Sequence, residues 1–177
     1  EEASNNPQIE AVVLRIDSPG GSALAADVLS RQVKQLGQRK PVLCSFGDIA
    51  ASGGYYLSAP CREIFADPLT ITGSIGIFGG KVDVSALLGR IGVERARYVH
   101  GNHADMESPY RAYSEEERTL LLERLQAGYD RFLEVVSSGR HFSREELEPL
   151  AEGRVWSGGQ AVARRLVERL GGLADAV

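Results

Sequence analysis

The chain is poor in lysine, in cysteine and in long apolar runs, and each scarcity removes a class of function. No stretch approaches the roughly 18 apolar residues a bilayer-spanning helix requires, and the first residues do not read as an export signal. These residues are therefore expected neither to cross a membrane nor to direct export. Lys and Arg total 20 against 24 Asp and Glu, a net charge of -4. The cations form no cluster dense enough to track phosphates, so nucleic acid is not an expected partner. Cys44 and Cys61 make neither a disulfide framework nor a metal set, and both are expected as free thiols, with the redox compartment left open. His100 and His103 lie in a polar loop near carboxylates but off any helix and without a further Cys or His nearby, so no metal site is expected and no cofactor is called for. The lysines are Lys34, Lys40 and Lys81, which leaves few amines for chemistry.

What is present is enough apolar residue, 43% of 177, for one sizeable core and a single domain. Ala11 to Ile16 is nearly continuous in apolar residues, as strands buried on both faces of a parallel sheet are. It ends in Asp17-Ser18-Pro19-Gly20-Gly21-Ser22, where Pro19 fixes one φ angle and the two glycines can take angles that turn their N–H groups outward. Ser22 can cap a helix whose apolar positions Leu24, Val28, Leu29 and Val33 share one face before Gly37 stops it. Pro41 to Phe46 reads as a second buried strand, Glu63 to Ala66 as a third. Val82 to Leu88 reads as a short helix and Val93 to Val99 as a strand. This alternation of strand and helix predicts an α/β architecture with sites at the carboxyl ends of the strands.

Between the second and third strands lies Gly47-Asp48-Ile49-Ala50-Ala51-Ser52-Gly53-Gly54-Tyr55-Tyr56, a strand-to-helix turn carrying one hydroxyl among small residues. Small neighbours let a substrate backbone come within about 3 Å of that oxygen. The helix starting at Ser52 directs free N–H groups at whatever forms beside it. Ser52 is a candidate nucleophile, and equally a plain helix cap. Leu69 to Gly80 mixes β-formers with glycines, and Ser74 is the polar residue there best placed to serve a site. Ser114 to Glu117 is a capping box opening a long helix through about Ser138, with Leu121, Leu125, Tyr129, Phe132 and Val136 on one stripe. Ser143 to Glu146 opens a shorter helix ending near Gly153. After the extended Arg154-Val155-Trp156, Ser157-Gly158-Gly159-Gln160 opens a last helix that ends at Gly171.

Four ordered segments, Arg15-Ile16-Asp17-Ser18-Pro19-Gly20-Gly21-Ser22, Ala50-Ala51-Ser52-Gly53-Gly54-Tyr55-Tyr56, Leu69-Thr70-Ile71-Thr72-Gly73-Ser74-Ile75-Gly76 and Gly153-Arg154-Val155-Trp156-Ser157-Gly158, together resemble the signal peptide peptidase A (protease IV) family. The resemblance covers nearly the whole chain. It implies an α/β fold of the Clp protease and crotonase type, with a parallel-rich sheet, crossover helices and a C-terminal helical extension. Residues 1–112 would be the core and 113–177 the extension of a domain whose first strand lies upstream. It further implies a serine endopeptidase with a Ser-Lys dyad acting on apolar peptides such as remnant signal peptides. Ser52 would be the nucleophile, Gly53 with Gly20 or Gly21 the oxyanion hole, and Ser74 the residue orienting the lysine.

The lysine itself does not match. In the short form of the family it lies in the loop that here reads His100 to Pro109, and Ala104 stands at the matching position. Either the chain resembles the carboxyl-terminal lobe of the long, two-lobed form, whose amino-terminal lobe supplies the lysine, or Ala104 replaces a catalytic lysine in an inactive protein. The separated lobe is the preferred expectation, with weak or no activity for the chain alone. The resemblance implies a homo-oligomeric ring or bowl and an extracytoplasmic, periplasmic location at a membrane, the anchor lying outside this segment. The rival readings are a His-dependent Clp-like hydrolase using His103 and Asp105, a crotonase-like acyl-CoA enzyme, and an inactive assembly module.

Overall fold

The structure, a computed structural model, describes residues 2–177. It divides into two compact units, residues 1–77 with 129–177, and residues 78–128.

The first unit is built on a curled, mostly parallel sheet. After a short helix α1 (Glu2–Asn5), strand β1 (Val12–Ser18) pairs parallel with β2 (Val42–Ala51), and the connection between them is helix α2 (Ala23–Gly37). Ser22 caps α2 by accepting from the Ala25 N–H at 3.3 Å. The first part of β2 pairs with β3 (Glu63–Ala66) and its last residues with β4 (Ile71–Gly73), both parallel. A six-residue helix α3 (Gly53–Ser58) leads from β2 toward β3.

The change of neighbour along β2 coincides with a break in the β1–β2 register. Ile16 faces Phe46 and Ser18 faces Ala50, so β2 carries two residues more than β1 over that step. Strands with such an excess bend and twist locally, and the bend here aims the end of β2 away from β3 and onto β4. The expected strand Pro41 to Phe46 therefore continues five residues further than its apolar run, through Gly47 and Asp48, up to the edge of Ser52.

The remaining elements are α4 (Ser85–Arg90), α5 (Glu115–Arg140), α6 (Arg144–Leu147) followed by a 3-10 turn, β5 (Val155–Ser157), α7 (Gly158–Ala163), β6 (Arg169–Leu170) and α8 (Leu173–Ala176). Strand β5 pairs antiparallel with β4, and β6 parallel with β3. Both expected capping boxes form, at Ser114 with Glu117 and at Ser143 with Glu146. The core gathers Phe46, Ile64, Ile75 and Val42 of the sheet region with Tyr55, Leu133, Val136, Leu147 and Leu166. At about 2 kcal/mol for each fully buried large side chain, this apolar centre is what holds the sheet and its helices together.

Several sequence expectations need correction. The last helix stops at Ala163, because Arg165 takes a left-handed φ of 61° and the buried Leu166 and Val167 lead into β6. The α2 stripe is only partly an inward face: Val33 is buried, but Leu24 is 73% exposed and Val28 and Leu29 are exposed as well, while the buried positions are Ala26, Ser30 and Val33. Small residues let α2 approach α3 closely, which turns the larger apolar side chains outward. Val93 to Val99 is not a strand, since no ladder partner faces it among the described residues. Finally, Cys44 and Cys61 are not free thiols but a disulfide, with Cα atoms 6.0 Å apart. The chain reverses through α3 and returns beside β2, which brings together two cysteines that linear spacing leaves unrelated.

Candidate active site

Ser52 stands between β2 and α3. Its φ of 52° and ψ of -118° lie in a region that L-residues rarely occupy. Its N–H donates to the Gly73 carbonyl at 2.9 Å, extending the β2–β4 ladder by one rung, and its carbonyl accepts from Tyr56. The side chain makes no capping hydrogen bond, so the plain reading of Ser52 as a helix cap does not hold. Backbone strain of this kind costs about 1–3 kcal/mol and persists only where the surroundings enforce it.

The enforcement is visible behind the serine. Tyr55 is fully buried and donates from its hydroxyl to the Leu166 carbonyl at 2.8 Å; burial raises its pKa far above the usual phenol value. Tyr56 donates to Asp27 Oδ1 on α2 at 2.7 Å, and burial with this bond pushes its pKa up to about 12. The same hydrogen bond lowers the Asp27 carboxyl below its ordinary range. Helix α3 is thereby tied to α2 on one side and to the chain before β6 on the other. The Cys44–Cys61 bond closes the loop that contains Ser52. None of these ties was visible in the sequence, because each joins residues far apart along the chain.

The Pro19-Gly20-Gly21 turn lies against the serine. A Cβ built on Gly20 would come within 2.7 Å of Ser52 Cβ and 2.8 Å of Gly53 N, and one built on Gly53 would be 3.5 Å from Gly21 N. Gly20 and Gly21 both hold positive φ, 106° and 144°, angles for which glycine is needed. The Gly20 N–H donates to Ser18 Oγ at 3.2 Å. Among the described residues no protein group accepts from the N–H of Gly21 or of Gly53. Gly54 completes the close approach, since a Cβ there would meet the Ser18 carbonyl at 2.7 Å.

Ser74 follows the Gly73 carbonyl that holds Ser52. It too has a left-handed φ, 49°, and its N–H donates to the Arg154 carbonyl at 2.7 Å. Two strained serines thus end the neighbouring strands β2 and β4.

The second unit holds the loop with Ala104. Ala104 is exposed, in a series of turns between Gly101 and Glu107. Asp105 receives two hydrogen bonds each from Arg97 and Arg111, and Arg111 also pairs with Glu117. These guanidinium bonds hold the Asp105 carboxyl far below its usual range and bring Glu117 down to about 2. His103 faces Glu116 and Glu117, at 3.4 and 3.6 Å, not Asp105. The His103–Asp105 pair needed by a His-dependent hydrolase is therefore not formed. Lys81 donates to the Met106 carbonyl at 2.6 Å and lies over the Tyr113 ring. Lys40 donates to the Asn6 carbonyl. Lys34 is on α2. Among the described residues, no group of three or more His, Cys, Asp and Glu side chains is arranged to hold a metal ion. Among the same residues, no helix is long and apolar enough to cross a membrane.

Comparison with known proteins agrees with this picture. A mutant of ClpP1 from Listeria monocytogenes superposes with a TM-score of 0.64 over 94% of this chain and 77% of that one, at 13% identity, which establishes the Clp protease and crotonase type of fold. In sequence, Protease 4 of Salmonella typhi is 40% identical over 99% of this chain and 28% of its own length. A protein of Enterococcus faecium provisionally named signal peptide peptidase SppA is 38% identical over 96% of this chain and 49% of its own. The chloroplastic serine protease SPPA of Arabidopsis thaliana is 37% identical over 95% of this chain and 25% of its own. The chain spans between a quarter and a half of the length of these relatives. The profile of peptidase family S49 matches residues 34–177, and the chain accordingly belongs to the S49 family of serine peptidases.

Proposed function

We propose that Ser52 is the nucleophile of a Ser-Lys endopeptidase acting on apolar peptides, cleaved signal peptides among them, and that its base is supplied by a lysine from another lobe of the same protein. The observation that carries the reading is the strained Ser52, uncapped and set beside two amides without protein acceptors. The reaction follows from that arrangement. A lysine desolvated enough to be neutral takes the Ser52 hydroxyl proton as the oxygen attacks the scissile carbonyl. The negative charge that develops on the carbonyl oxygen is received by the N–H groups of Gly53 and Gly21, which are fixed in advance by the turn and the start of α3. The lysine ammonium then returns its proton to the leaving amine; the neutral lysine next takes a proton from water as its oxygen attacks the acyl carbonyl, and gives that proton to Ser52 Oγ as the acyl bond breaks.

Gly21 is preferred to Gly20 as the second donor because the Gly20 amide is engaged by Ser18. Ser74 is assigned to orient the lysine, supported by its place one residue beyond the Gly73 carbonyl that binds Ser52. The lysines of this chain do not fit the role of base: Lys81 and Lys40 are bound to carbonyls, and Lys34 sits on α2 away from the serine turn in sequence. The edge of β1 opposite β2 pairs with no strand among the described residues, which supports the reading that a preceding strand completes the sheet. The name of the Enterococcus faecium relative supports signal peptides as substrates, and the Clp-type fold supports a homo-oligomer, a ring or bowl with its sites inward.

The test is peptide hydrolysis. The chain alone should cleave an apolar fluorogenic peptide slowly or not at all. Supplying a lysine-bearing family lobe ahead of residue 1 should produce cleavage that disappears in Ser52→Ala. Should Ala104→Lys alone restore full activity, the base belongs at Ala104 and the separated-lobe reading fails.

A further inference from the structure

The register break between β1 and β2 leaves Gly47, Asp48 and Ile49 without β1 partners just upstream of the serine, and on its other edge β2 pairs with β3 only as far as Ser45 and with β4 only from Ile49. Two side chains fill the gap. Asp17, the β1 residue inside the break, accepts from the Ile49 N–H through Oδ1 at 3.2 Å. Thr70, buried just ahead of β4, donates from its hydroxyl to the Gly47 carbonyl at 2.8 Å. Thr70 is itself held: its N–H donates to Asp67 and its carbonyl accepts from Gly158. Gly47 is shaped to the same purpose, since a Cβ there would lie 2.7–2.9 Å from Asp17 Cγ, Cβ and Oδ1.

We propose that Asp17 and Thr70 are positioning residues that fix the β2 bulge from its two sides, and through it set Ser52 against the Gly20-Gly21 turn. The argument is one of rigidity. Asp17 is one residue before Ser18, whose hydroxyl and carbonyl lie against Gly20 and Gly54. Ile49 is three residues before Ser52. A single side chain therefore links the strand that ends in the amide-bearing turn to the strand that ends in the nucleophile. Thr70 does the same from the strand whose Gly73 carbonyl binds the Ser52 N–H. Without these links the bulge loses both side-chain hydrogen bonds to its backbone, and an unconstrained bulge can relax its twist. A shift of about 1 Å at the serine is enough to lose about 100-fold in rate. Neither residue touches a reacting atom, and the inference rests on the nucleophile reading above for its functional consequence but not for its structural one.

The experiment reads both consequences separately. Asp17→Ala, Asp17→Asn, Thr70→Val and Gly47→Ala are made in the 177-residue chain. Two quantities are measured: amide hydrogen exchange over residues 46–54, and the maximal rate of phosphonylation of Ser52 by a fluorophosphonate. Asp17→Ala, Thr70→Val and Gly47→Ala should each accelerate exchange at 47–53 and slow labelling by about 10- to 100-fold, with the reagent's apparent affinity little changed. Asp17→Asn keeps an oxygen acceptor for Ile49 and should behave as the parent in both. Unchanged exchange and labelling in Asp17→Ala, or an Asp17→Asn chain as impaired as Asp17→Ala, would overturn the proposal. If Ser52 shows no labelling even when a lysine-bearing lobe is supplied upstream, the nucleophile reading falls while the exchange data still decide whether the clamp exists.

Discussion

Replacing Ser52 by glycine should stabilise the protein while removing the proposed nucleophile. The backbone angles at Ser52, 52° and -118°, are those of the first central position of a type II′ turn, where glycine predominates. A Cβ held there costs about 1–3 kcal/mol. Glycine relieves that cost but adds unfolded-state entropy of about 0.5–1 kcal/mol, so the net gain is about 1 kcal/mol. For a chain of this size 1 kcal/mol corresponds to about 2–4 °C in melting temperature. Ser52→Ala retains the Cβ and removes only a hydroxyl that makes no capping bond, so its stability should stay within about 0.5 kcal/mol of the parent. Thermal unfolding by circular dichroism and urea midpoints on the three proteins provide the comparison. The reasoning is refuted if Ser52→Gly is no more stable than Ser52→Ala, because the serine would then not be strained by the fold.

Three other expectations follow from the ties around the site. The double substitution Cys44→Ala with Cys61→Ala removes a cross-link spanning 17 residues; the chain-entropy relation gives a loss of about 3 kcal/mol, or about 6–12 °C, and thiol titration of the unfolded parent without reductant should find no free thiol. Tyr55→Phe leaves the buried Leu166 carbonyl without its donor and should cost about 1–3 kcal/mol by urea denaturation, against no change if the bond is unimportant. Glu117 has its pKa lowered to about 2 in the folded chain by the Arg111 bonds. Its contribution is therefore fully present above the ordinary carboxylate range and is lost as pH falls through about 2. Hydrogen exchange in residues 100–111 should accelerate over that acid range in the parent and be fast at neutral pH in Glu117→Gln; equal protection in the two at pH 7 would show that the Arg111 network does not hold the loop.

The strands and the site loops were legible because they obey local rules. The apolar runs before Asp17 and Gly47 marked strands, although burial along most of the strand holds for β2 alone and β1 buries only Ile16, and glycine pairs beside a serine marked turns where backbone must come close. What escaped was set by partners distant in the chain. Val93 to Val99 has strand-like residues, but a strand exists only when another backbone accepts its hydrogen bonds. Leu24, Val28 and Leu29 keep helical spacing, yet α2 packs through Ala26, Ser30 and Val33, a choice made by the neighbouring α3. The Cys44–Cys61 bond depends on where the chain returns after α3. At the site, Ser52 and the two glycine turns were readable, while the engagement of the Gly20 amide required knowing where the Ser18 hydroxyl points.

Mass-mapped labelling by a fluorophosphonate, with and without a lysine-bearing lobe supplied upstream, examines the nucleophile most directly. The account predicts a single adduct on Ser52, formed slowly by the chain alone, accelerated when the lysine is present, and absent from Ser52→Ala. An adduct on any other residue, or a Ser52→Ala chain labelled as fast as the parent, would contradict it.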